Sequence, residues 1–103
     1  MKRILIAALC VLGSASSVAE CIAPLPRVMP GIPDGNSASA AVMAQAGDEV
    51  RRYVRGVEAY LDCRDSLHPL QHNYLVDKAE MLAADYNEEL ANFLGREEML
   101  ATK

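Results

Sequence analysis

The sequence predicts an all-α protein: an antiparallel two-helix hairpin with an N-terminal extended proline-rich arm packed on helix 1 and one disulfide, Cys21–Cys63. Three observations predict it. Apolar residues recur at three- and four-residue steps through two long segments separated by a proline break. Four prolines crowd the stretch before the first of these segments. Two cysteines flank that whole unit once an N-terminal export signal is removed. Nowhere does a strand-like alternation, an internal repeat or a low-complexity block appear.

The chain opens with Met1-Lys2-Arg3, a short cationic region, followed by the apolar run Ile4–Leu12 and the small, polar stretch Gly13 to Ala19. This is the order of a secretory signal peptide, residues 1–19, with Ser17 and Ala19 as the small side chains before a cut ahead of Glu20. The apolar run is too short for a membrane span, which needs roughly 20 residues. Glu20 before Cys21 is wrong for lipid modification. The expectation is a periplasmic or secreted protein, released after cleavage near Ala19 with no stable membrane anchor.

Cleavage changes the composition. The chain has three cysteines, of which Cys10 leaves with the signal, so Cys21 and Cys63 remain for one bridge in an oxidising compartment. Loss of Lys2 and Arg3 takes the formal charge from −4 to −6. So acidic a chain without a basic stripe argues against nucleic acid and anionic membranes as partners. About 84 residues of the 103 remain, a size at which a staple or a partner is usually needed. A bridge closing a loop of about 43 residues is worth about 4 kcal/mol in the chain-entropy model.

Residues 20–36 form the arm. Pro24, Pro26, Pro30 and Pro33 exclude a helix and favour polyproline II. Leu25, Val28, Met29 and Ile32 are too apolar for a free linker and call for a surface to lie on. Asp34-Gly35 is a turn signal, and Asn36, Ser37 or Ser39 can cap the helix that follows.

Residues 37–103 form the helical hairpin, with helices over about 39–66 and 69–95. The first stripe is Met43, Ala46, Val50, Tyr53, Val57, Tyr60 and Arg64, widened by Val54 and Leu61, with Asp48 four residues before Arg52 as a surface pair. Ser66-Leu67-His68-Pro69 breaks it, and Pro69 suits the first turn of a second helix. Leu75, Ala79, Leu82, Tyr86, Leu90 and Phe93 make the second stripe, with Gly95 as its expected stop. A short connection makes the helices antiparallel, and positions whose numbers add to roughly 135 then face each other. Tyr86 falls opposite Ala46-Gly47, Tyr53 opposite Leu82, and Tyr60 opposite Leu75, large against small.

Lengths support this topology. Fourteen polyproline steps from Cys21 to Gly35 span roughly 43 Å, and 26 helical steps from Ser37 to Cys63 span roughly 39 Å. The arm, reversed at Asp34-Gly35, therefore runs back along the first helix and ends beside Cys63. In shape alone this resembles the pancreatic-polypeptide hormones. An early Cys, spaced prolines, Pro33-Asp34-Gly35, a helix and Tyr60-Leu61-Asp62-Cys63 together resemble a group of small exported bacterial proteins of uncharacterised function. That resemblance covers most of the mature chain and implies the fold, with no activity attached.

Residues able to do chemistry are few. His68 and His72, four apart near the hairpin turn, are the candidate metal ligands, but Pro69 stands between them and a third ligand would have to come from Asp62 or Asp65. No Cys-x-x-Cys-His points to haem, and no cofactor is indicated. Asp65, Ser66 and His68 are loop neighbours and not a nucleophile with an oriented base. Glu88, Glu89, Glu97 and Glu98 read as solvated helix face, and Met29, Met43, Met81 and Met99 as core filler rather than copper ligands. No catalytic residue is assigned, and the chain is read as no enzyme. The favoured function is a non-enzymatic exported protein acting through its surface on a protein partner in the cell envelope, including a chaperone-like role. The alternatives are a periplasmic metal or small-ligand binder using His68 and His72, and an acidic inhibitor of a basic envelope or secreted enzyme. A thin core also suits homodimerisation, two hairpins pairing into four helices.

Overall fold

The structure is a computed structural model that describes residues 22–64 and 66–102. The signal-peptide segment 1–19, Cys10, Cys21 and Asp65 lie outside these residues. Among the described residues there is no strand. Two helices, α1 (Ala40–Cys63) and α2 (Pro69–Ala101), pack against each other.

α1 begins where the sequence offers a cap. Ser39 is the N-cap, in extended conformation, and its hydroxyl accepts from the Val42 N–H at 3.1 Å. Before it the chain turns at Asp34: the Ser37 and Ala38 N–H groups both donate to the Asp34 carbonyl, and the Asn36 N–H donates to Asp34 Oδ1 at 2.9 Å. Helix α1 ends at Cys63, three residues short of the expected 66. Pro69 holds His68 in extended backbone (ψ 138°), and the chain must leave the helix early to reverse within the short connection. Arg64 is already extended at the cap, with its guanidinium 4.7 Å from the Tyr60 ring centre.

α2 starts at Pro69 as expected, with His68 as N-cap. It does not stop at Gly95 and runs on to Ala101. Gly95 has open space on every side, so nothing there ends the helix, and the Arg96–Leu100 segment that follows consists of good helix formers. One interior glycine costs only about 1 kcal/mol.

The core is a single shallow layer. Val50, Tyr53 and Val57 of α1 meet Leu75, Ala79 and Leu82 of α2, with Tyr60, Leu61, Val54 and Tyr86 packed around them. The expected partners Tyr53 and Leu82 thus share one cluster, and Tyr60 packs on the cluster that holds Leu75. At the other end Tyr86 lies over Gly47, as the register predicts. Its hydroxyl donates to the Met43 carbonyl at 3.0 Å, and a Cβ added at Gly47 would come within 2.8 Å of that hydroxyl. The expected pair Asp48–Arg52 is not formed; Asp48 takes Arg51 instead, one residue nearer on the same helix.

The arm lies along one side of α1 in the opposite direction. Gly31, Ile32 and Pro33 sit beside Val42, Gln45 and Ala46, while the residues from Pro30 back to Ala23 run beside Glu49 to Ala59. Leu25 and Ile32 pack against the core cluster. Pro26 touches α1 so closely that a Cβ on Gly56 would stand 2.7 Å from the proline Cγ.

Candidate functional site

The arm's extended backbone turns some side chains inward and others out. Leu25, Pro26 and Ile32 are half-buried, whereas Val28 is 83% exposed. Between the arm and α1 this leaves an open apolar groove of about 550 Å³. Ala23, Pro24, Pro26, Val28 and Pro30 form one wall, and Glu49, Arg52, Tyr53, Gly56 and Ala59 the other. The ring of Tyr53 is buried at the floor. Glu49 and Arg52 supply one charge of each sign on the α1 side, and neither is engaged in an ion pair or hydrogen bond except for Glu49, whose carboxylate accepts from Gln45 Nε2 at 3.2 Å.

Such a groove takes apolar groups by contact and can orient a polar backbone through one cation and one anion. Among its described lining residues there is no serine, cysteine, lysine or histidine. The groove is held in place from its far end by the turn before α1, which is docked on α2. The Gly35 N–H donates to Glu89 Oε1 at 2.8 Å, and Asn92 Nδ2 donates to the same oxygen at 3.2 Å. Arg96 donates to the Ala38 carbonyl at 2.7 Å while stacking over Phe93, 5.1 Å from its ring centre. Gly35 is buried, and a Cβ there would overlap the Glu89 carbonyl. Glu89 is therefore no solvated carboxylate, as its sequence context suggests, but the acceptor that anchors the turn. Only its spacing from Asn92 and Arg96 on one face hints at this.

The histidines are set apart by the helix start. His68 precedes α2, and its Nδ1 accepts the Leu70 N–H at 3.0 Å; His72 lies within the helix, exposed. One ring nitrogen of His68 is thus committed to a cap, and the pair does not have the arrangement of two histidines on one helical face. Among the described residues no group of three or more His, Cys, Asp or Glu side chains is placed to hold a metal, and Asp65 lies outside them. Ser66 and His68 make no hydrogen bond to each other. Cys63 is the last residue of α1, and its expected partner Cys21 lies outside the described residues. No helix among those described is long and apolar enough to cross a membrane.

No protein-family model matches the chain, and no curated protein or solved structure matches it either.

Proposed function

We propose that this chain is an exported, non-enzymatic interaction protein whose working surface is the groove between the proline arm and α1. The observation that carries the reading is the outward wall of the arm. Val28 is left exposed beside an apolar trough floored by Tyr53, and the occupant that fits is an extended apolar segment of a partner protein in the envelope. Export rests on the 1–19 segment with its cationic start, apolar run and small residues before the cut.

The Cys21–Cys63 bridge belongs to the same proposal. Pro26 contacts Gly56. From there five extended residues back to Cys21 span up to about 16 Å, and seven helical residues on to Cys63 rise about 11 Å. The two sulfurs are within reach, and the bridge would clamp the free end of the arm at the end of the groove.

The test is capture of partners from an envelope extract on the mature protein, in parallel with Val28→Asp and, as a distant surface control, Leu70→Asp. A partner retained by the wild type and the control, and reduced at least tenfold by Val28→Asp, is expected. A partner that binds all three equally, or none at all, refutes the groove as the working surface.

A further inference from the structure

Among the described residues the arm lies on one side of the hairpin. On the opposite side, two adjoining hollows of about 340 and 260 Å³ share Val54, Glu58 and Ala83 and form one trough between the helices. Its floor is apolar and small: Gly47, Val50, Val54 and Leu61 from α1, Val76, Ala79 and Ala83 from α2. Arg51 and Arg55 stand toward one end of the α1 rim and Glu58 toward the other. We propose that this face is where a second copy of the chain docks, giving a four-helix dimer with both arms on the outside.

The argument is the self-complementarity of the face. Take a two-fold axis lying in the interface and crossing the helices at Val54. Residues of α1 then face residues of the second copy's α1 whose numbers add to about 108. The Gly47 end of the trough, where Tyr86 lies over the glycine, faces Leu61 of the second copy, and Val54 faces its own equivalent. Arg51 meets Glu58 of the second copy, and the same pair repeats on the other side of the axis. On α2 the same axis falls between Ala79 and Glu80, because Tyr86 over Gly47 sets those residues level with Val54. Val76 then faces Ala83 of the second copy. Two helices with independent sequences thus satisfy one axis; Arg51 and Glu58 come into opposite-sign register twice, while Arg55, near the axis, stands beside its own equivalent.

The groups on this rim are accessible. Arg51 is paired in its own chain with exposed Asp48, and Arg55, Glu58 and Glu80 make no hydrogen bond or ion pair among the described residues. The Glu80 carboxylates lie near the axis on α2 and oppose association mildly, so Glu80→Gln strengthens the dimer. The trough runs about 21 Å along α1, a footprint at the small end of specific interfaces, which average about 800 Å² per partner. Self-association is therefore expected in the micromolar range.

The experiment is sedimentation equilibrium of the oxidised mature protein across a concentration series, with circular dichroism to confirm that each variant is helical. Wild type is expected to be dimeric at high concentration. Arg51→Glu and Glu58→Arg each weaken the dimer at least tenfold, because two opposite-charge pairs become two like-charge pairs. The double exchange Arg51→Glu/Glu58→Arg restores it to within about threefold. Val54→Arg, at the axis, abolishes it. A wild type that stays monomeric at the highest attainable concentration overturns the proposal. So does a dimer that is indifferent to the two single charge reversals, since a different face would then be in contact.

Discussion

Replacing Gly35 by alanine isolates the contact that orients the whole N-terminal unit. Its backbone φ is outside the left-handed region, so alanine has no conformational objection to the site. The objection is spatial. The added methyl would occupy the position of the Glu89 carbonyl, which belongs to helical backbone and cannot step aside. The turn must lift from α2, and two contacts go with it: the Gly35 N–H to Glu89 carboxylate bond and the Arg96 to Ala38 carbonyl bond. Each involves an ionised partner and is worth about 1.5–3 kcal/mol net. Both groups are half-buried and recover some hydration when released, so the expected loss is about 2–4 kcal/mol. For a chain of this size total stability is on the order of 4–13 kcal/mol, and the variant is therefore severely weakened. Urea denaturation followed by circular dichroism measures it; with a slope of about 1 kcal/mol per molar, the midpoint falls by roughly 2–4 M. Gly31→Ala, where nothing lies within 4 Å, is the matched control and should fall within about 0.5 kcal/mol of wild type. If Gly35→Ala also unfolds within about 0.5 kcal/mol of wild type, the turn is not docked on α2 and the reasoning fails.

Gly95→Ala should stabilise the protein by about 0.5–1 kcal/mol, because the residue is inside α2 with open space around it; a loss of stability in thermal melts would mean that the helix ends or bends there. Tyr86→Phe removes the hydroxyl that donates to the Met43 carbonyl and should cost about 1 kcal/mol, whereas Gly47→Ala, which displaces that hydroxyl but is the better helix former, should gain less stability than Gly95→Ala. His68→Ala deletes the side-chain acceptor of the Leu70 N–H and should cost about 1 kcal/mol, with His68→Asn recovering most of it as a competent cap. Equal stability of the alanine and asparagine variants in urea would show that the cap contributes nothing.

The legible parts of this fold are those where one residue's chemistry suffices. Periodic apolar positions marked both helices, Ser39 and Pro69 stood at their starts, and Tyr86 against Gly47 followed from counting back from the turn. The groove was half legible. Leu25, Val28, Met29 and Ile32 evidently needed a surface, but only the path of the arm decides that Leu25 and Ile32 reach the core cluster while Val28 stays exposed. Nor could the end of α2 be read from Gly95, since a glycine stops a helix only when no packing or favourable sequence beyond it carries the helix on.

By itself, then, the sequence determined two antiparallel helices, their register and a proline arm reversed at Asp34-Gly35. Only the tertiary structure decided why two of the glycines must be glycine. Gly35 and Gly56 are not there for turn geometry or flexibility; each lies where another part of the chain comes within a methyl group's width, α2 backbone in one case and Pro26 in the other. The same holds for Glu89, one acidic residue among several along α2 until the turn's N–H is placed against it. Close approach is a property of two segments distant in sequence, and local pattern carries no record of which backbone will stand opposite.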